Sequence, residues 1–451
     1  MVESDSPSPK PAPPALSRRL VVAQSWPMAF AMAALPLAAM ADTAVISLTG
    51  GAAQIGGVGL GLVAYSPVYW SFYFLRMGTT GLAAQASGAE NEPALQRTLI
   101  RGLVLALVFG AVAVSLARPV AMLAFAILQG SAEVEGAGAD YFAARMWGAP
   151  AAFLNFVFTG WLIGIGRTRP MLASSGVMAS VNIALDLWFV LALDMGPGGV
   201  GAATALAEWC GAATAGGFVL LAIAARGGWT AETFTWSRLS DIAALSRLCS
   251  VSAALFIRTA GLVFGFGWFQ NAGARMGDLV IAADQVLLQF VTLWAFVLDS
   301  FAFTAEAQVG AAVGRGSRDD LRRAVRLTSE VAVVCAIVFA LATLLVGPFV
   351  LEAVVRDEAV RALAGRLLPW CALAPAVGVF AWQLDGIFIG ATRNRELAVA
   401  SIAAAAIYVG VDMMLRPAFG VHGLWGGFLI YYALRALTLA VFYPRLERSL
   451  G

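Results

Sequence analysis

Long apolar runs alternate along this chain with short connections that carry most of its arginines. An α-helix needs about 20 apolar residues to cross a bilayer, whereas a barrel strand shows only weak alternation. The runs fit helices, predicted at 18–48, 54–87, 94–117, 137–165, 169–193 and 198–225. A second set follows at 241–270, 278–312, 321–346, 360–390, 395–416 and 421–445. Between the third and fourth helix of each set lies a shorter segment after a proline, at Arg118-Pro119 and Gly347-Pro348. The fold class expected is all-α integral membrane with twelve transmembrane helices.

The two sets resemble each other. Ala83-Ala84-Gln85-Ala86-Ser87-Gly88-Ala89 is echoed by Ala305-Glu306-Ala307-Gln308-Val309-Gly310-Ala311, and Ile165-Gly166-Arg167-Thr168-Arg169 by Ile389-Gly390-Ala391-Thr392-Arg393. Six helices per repeat is an even number, so the repeats are parallel and related by an axis along the membrane normal. Two such bundles leave a central cleft. The expected organisation is a disordered tail over 1–17, an N-lobe over 18–225, a linker over 226–240 and a C-lobe over 241–451.

Arginine placement sets the orientation. With a cytoplasmic N-terminus, the inner loops hold Arg97, Arg101, Arg167, Arg169 and the cluster from Arg315 to Arg326. The outer connections hold fewer, several beside acids such as Glu133 and Asp357. Positive charge resists translocation, so both termini are expected in the cytoplasm, in an inner membrane. Arg18-Arg19, an apolar run and Ala39-Met40-Ala41 imitate a cleavable leader. The length of the run and Pro36 fit a first span better.

Composition agrees: 60% of the 451 residues are hydrophobic, 12% are charged and mean hydropathy is +0.81. Soluble domains carry about 25% charged residues. A net charge of +2 offers no case for nucleic acid. Lys10 is the sole lysine and His422 the sole histidine, which excludes a Walker A loop and leaves no nucleophile–base pairing for an enzyme. The cysteines, Cys210, Cys249, Cys335 and Cys371, lie singly, without metal-ligand spacing.

Candidate chemistry therefore rests on polar residues inside the spans. A charge in hydrocarbon is expensive, so an intramembrane acid is a functional candidate by default. Asp42 lies in the first span, with Pro27 and Pro36 upstream as places for that helix to bend. Asn155, Asn182, Asp186, Thr204 and Glu208 follow on helices four to six. Asn182 and Asp186 are four apart and share one helical face, whereas the repeat puts Ala406 and Gly410 at the matching positions. These groups can pass a proton or hold a small cation; the plainer role for the amides and Glu208 is hydrogen bonding between helices. In the second half, Asp284, beside Gln285 and near Gln289, is a candidate for the cleft wall. Glu306, Arg326 and Glu330 fall near the cytoplasmic end, where snorkelling or ion pairing is expected. Tyr65, Tyr69 and Trp294 belong to an aromatic set suited to flat cations, although such rings more often pack or face lipid. Only Arg76 and Arg258 are read as central arginines.

At Asp42-Thr43-Ala44-Val45, Phe74-Leu75-Arg76-Met77-Gly78, Asn182-Ile183-Ala184-Leu185-Asp186, Leu298-Asp299-Ser300-Phe301 and Leu384-Asp385-Gly386-Ile387 the sequence resembles the multidrug and toxic compound extrusion (MATE) family, in its DinF-like branch. The resemblance spans nearly the whole chain. It implies a two-lobe antiporter exporting cationic or amphipathic small molecules, driven by protons or sodium, with no bound cofactor. It also implies that Asp42, Asn182 and Asp186, with Asn155 and Thr204, form the ion-coupling network, and that Pro27 marks a bend in helix one. Ala38 departs from a tyrosine of some relatives, and Asp284 from a more usual asparagine. The expected partners are substrate and membrane lipid, and the expected state is a monomer. A sodium-coupled exporter is the first alternative; a lipid-linked precursor flippase, which needs several arginines in its cavity, is the second.

Overall fold

The first helix starts where Ser17 turns its hydroxyl back to accept from the Leu20 amide, capping α1 (Arg18–Thr49). In this computed structural model, residues 16–128, 130–234 and 242–450 are described, and among them there are helices and no strands. Residues 1–15 of the expected tail and 235–240 of the expected linker lie outside these residues, as do the side chains of residues 35–39, Pro36 included, and 242–252, Cys249 included. After α1 come α2 (Ala52–Ser71), α3 (Phe74–Gly88), α4 (Glu92–Ser115), α5 (Ala117–Ile127), α6 (Ala132–Met146), α7 (Ala149–Gly164), α8 (Arg169–Asp186) and α9 (Gly196–Ala225). The second set is α10 (Ile242–Ala274), α11 (Asp278–Gly314), α12 (Arg318–Val354), α13 (Glu358–Gly390), α14 (Asn394–Ala440) and α15 (Tyr443–Arg448).

Several expected boundaries shift. The helix predicted over 54–87 breaks between α2 and α3. The one over 137–165 divides into α6 and α7, bent by 50° at Trp147-Gly148. No separate segment follows Pro348, because α12 runs through it to Val354. The two last predicted helices form one assigned element, α14, interrupted at Gly420, whose φ of 58° and ψ of −132° are not helical. Gly423 packs on Leu415 and Gly427 on Asp412, so the arm after Gly420 runs back along the arm before it. A positive φ suits glycine, and Pro417 just upstream weakens the helix there.

Among the described residues nine helices are long and apolar enough to cross a membrane, or ten with the bent α6–α7 pair as one span. Twelve is reached only by adding α1 and taking the arms of α14 as two. α1 continues through Pro27 without a break in its assignment and packs against both α8 and α11.

A seam joins α3 to α11 and α13, and its closeness comes from small residues. A Cβ on Gly88 would lie 2.1 Å from the Ala311 carbonyl, one on Gly314 2.1 Å from that of Gln85, and one on Gly81 2.5 Å from that of Ile389. Gln85 Nε2 donates across it to the Gly390 carbonyl and Thr392 Oγ1, both at 3.1 Å. Overpacking costs about 1–3 kcal/mol, or roughly five- to 150-fold in an equilibrium. Gly88→Val is therefore expected to prise the seam open. Gln85→Cys should then label faster with an impermeant maleimide in the Gly88→Val background than alone.

Candidate functional site

Three helices bring the acidic cluster together. Asp42 comes from α1, Asn182 and Asp186 from the last turns of α8, and Thr204 from α9. Asp186 and Asn182 are almost wholly buried, and Asp42 is 7% exposed. Asn182 Nδ2 donates to Asp186 Oδ2 at 3.1 Å and approaches Thr204 Oγ1 at 3.4 Å. The Thr204 hydroxyl lies 3.4 Å from Asp42 Oδ2 and 3.0 Å from the Val200 carbonyl, so its one proton serves one or the other. Asn182 and Thr204 thus link the carboxyls of Asp42 and Asp186. Three buried oxygens here, Asp42 Oδ1, Asn182 Oδ1 and Asp186 Oδ1, have no partner. Buried polar atoms are almost always paired, and these three oxygens are acceptors that a proton or a small cation can satisfy.

The backbone beyond Asp186 is irregular. Leu187–Ala192 is a π-helix, closing with Asp194 at φ 51° and Gly196 at φ 56°. Wide turns of this kind recur at functional sites and re-aim the side chains beside them. Nothing in the sequence pattern signals this one.

Asn155 does not join the acidic cluster. Its Nδ2 donates to the Glu208 carbonyl at 2.9 Å, tying α7 to α9. The Glu208 side chain takes a bidentate pair from Arg145 on α6, with Nη1–Oε2 2.6 Å and Nη2–Oε1 2.5 Å. Arg145 also lies over the Tyr65 ring, 4.2 Å from its centroid. Gly148 makes room for the pair, since a Cβ there would lie 2.5 Å from Glu208 Oε2. Arg145 is a central arginine that the sequence reading missed; its signal was Tyr141 and Arg145 one turn apart, with an unmatched Glu208 two spans later. Arg145→Lys keeps the charge and loses the fork. A hydrogen bond to a charged group is worth about 1.5–3 kcal/mol, so the variant is expected to unfold at a clearly lower temperature than the parent.

Both groups open onto one cavity of about 300 Å³. Asp42, Asn182, Thr204, Arg145 and Glu208 line it on one side, and Tyr65, Tyr69, Trp70, Tyr73 and Phe156 form an aromatic belt. Tyr69 meets Phe156 at 4.8 Å between centroids, and Tyr73 meets it at 5.3 Å. The C-lobe contributes Phe296 and Asp299. The cavity is thus mostly an N-lobe feature.

Three expected wall residues are not on it. Asp284 is fully buried inside the C-lobe, accepting from Trp425 Nε1 at 2.8 Å. Gln289 is on the exposed side of α11. Trp294 stacks on Phe339 at 4.4 Å and donates to Thr343 Oγ1 at 2.8 Å, which turns it toward α12. Glu306 forms an ion pair, one of its two expected roles, but does so buried and not snorkelling at the boundary. It is 1% exposed and holds Arg76 of α3 in a fork of 2.9 and 3.1 Å across the lobe interface. Arg258 is likewise neutralised: it and Arg435, a second overlooked central arginine, both bind Asp385.

The MatE family profile matches residues 27–188 and 272–414. DNA damage-inducible protein F of Escherichia coli K12 is 35% identical over 423 residues, 94% of this chain and 91% of that one. The chain belongs to the MatE family. A probable multidrug resistance protein, NorM of Shewanella oneidensis, is 25% identical, with 88% and 87% of the two chains covered. Among solved structures, a MATE protein in its bent conformation superposes with a TM-score of 0.86 at 18% identity, covering 96% of each chain. This MatE protein therefore has the two-lobe transporter fold, and its family consists of multi-pass membrane transporters, not enzymes.

Proposed function

We propose that this transporter is a secondary active exporter of cationic or amphipathic small molecules, exchanged for protons at Asp42 and Asp186. The observation that carries the reading is a pair of buried carboxyls with unpartnered oxygens, joined through Asn182 and Thr204, of which Asp42 lies on the wall of an aromatic cavity and Asp186 just behind it. Two carboxylates so linked are not both ionised in a water-poor site without a counter-charge. One shared proton fills the gap. Its loss to water leaves a negative charge that a flat cation held among the rings neutralises. Proton and substrate then exclude each other, which is the condition for antiport.

The ion pair of Arg76 with Glu306 and the glycine seam seal the lobes beside the N-terminal half of α1, where Ser25 and Thr304 also meet at 2.7 Å. With both termini cytoplasmic, in the inner membrane, this is an outward-facing state, and transport requires the seam to part as α1 moves, with Pro27 and Pro36 as its flexing points. The carrier works as a monomer in this reading.

The same oxygens favour a second reading, in which Asp42, Asp186 and Asn182 hold sodium. A flippase for lipid-linked pyrophosphates is disfavoured, because Arg76, Arg145, Arg258 and Arg435 are each held by a carboxylate. Everted vesicles separate the ions. Ethidium uptake should collapse when the proton gradient is dissipated at constant sodium, and uptake that follows sodium alone would replace the proton reading.

A further inference from the structure

A groove of about 680 Å³ opens outside the central cavity, between the start of α1 and the first turns of α12. Five arginines wall it, Arg18 and Arg19 from α1 and Arg322, Arg323 and Arg326 from α12, against one carboxylate, Asp319. Neighbouring acids do not match this charge. Glu330 is shared by Arg18 and Arg326, and Glu447 by Arg318 and Arg322. Arg19 and Arg323 have no ion-pair partner among the described residues.

The surface beyond the arginines is apolar. α12 exposes Val334, Ile337, Val338 and Leu341, and α1 exposes Val22, Trp26 and Phe30. Both rows begin within about two turns of the guanidiniums, a turn being about 5.4 Å of helix. Guanidinium forks recognise phosphate oxygens, and basic pockets between spans bind anionic headgroups. A free phosphate would use the arginines alone; two apolar rows leading away from them fit acyl chains.

We propose that this groove binds the phosphate of an anionic phospholipid, with its chains along α1 and α12. The lipid then clamps α1, which carries Asp42, to the C-lobe helix that carries Glu330. The site stands apart from the coupling reaction, so its test reads binding alone.

Native mass spectrometry of the full chain, given equal phosphatidylglycerol and phosphatidylcholine in detergent, tests it. The parent is expected to retain phosphatidylglycerol with about fivefold preference or more. Arg19→Gln with Arg323→Gln, both at the exposed rim, should erase the preference without lowering the melting temperature. Trp26→Ala should weaken retention of phosphatidylglycerol while leaving the charge rim intact. Millimolar inorganic phosphate should fail to displace the lipid. Equal retention of the two lipids by the parent, an undiminished preference in the double variant, or displacement by inorganic phosphate would each overturn the assignment.

Discussion

Cells expressing Asp42→Asn are expected to retain ethidium like cells without the transporter, although the variant inserts and folds. Asparagine keeps the size of the side chain and removes the titrating group. The amide cannot share a proton with Asp186, and it presents no charge for a bound cation to neutralise. Both halves of the exchange fail together, so the loss should be complete and not a shift in apparent affinity. Asp186→Asn should act in the same direction, because its carboxyl is linked to Asp42 through Asn182 and Thr204. Thr204→Val should be milder, since that hydroxyl reaches Asp42 only at 3.4 Å and has the Val200 carbonyl as a nearer partner. Efflux measured beside protein abundance on a blot checks the series.

The second large effect is expected at the lobe interface. Arg76 and Glu306 are each 1% exposed and joined by two hydrogen bonds, and the guanidinium also lies 4.0 Å from the Phe303 ring centroid. Removing one member of such a pair strands the other charge out of water, at a cost of about 3–5 kcal/mol. Arg76→Met and Glu306→Gln should each destabilise the sealed state strongly. The double variant leaves no buried charge and should recover much of the loss. Thermal unfolding of the four proteins in detergent gives the cycle. The single variants should also label faster than the parent at Gln85→Cys, because the seam beside the pair opens. If the double variant is as unstable as the sum of the singles, the pair is not a coupled unit.

Helical periodicity and arginine placement made the architecture legible, since a span has to be apolar over its whole length and a break has to carry turn residues. The acidic cluster was legible for a similar reason. Asp42, Asn182 and Asp186 stand out because almost nothing around them in the sequence is polar. What periodicity does not encode is which face of a helix looks at which neighbour. Asp284 is as conspicuous as Asp42 in the sequence, yet it turns to Trp425 inside the C-lobe, and Asn155 turns to a backbone carbonyl of α9. Arg145 was overlooked, and Glu306, whose expected ion pair does form, was placed at the membrane boundary and not in the buried lobe interface. Each looks like a boundary charge until its partner, far away in the chain, is known. The π-turn after Asp186 leaves no trace in composition at all, since Leu187–Ala192 is as apolar as any regular helix.

Proton release on substrate binding tests the central claim most directly. Purified protein in weakly buffered detergent at near-neutral pH, titrated with ethidium, should release close to one proton per molecule bound. Asp42→Asn should release none. Binding to the parent with no proton release, or equal release from Asp42→Asn, would contradict exchange at this site.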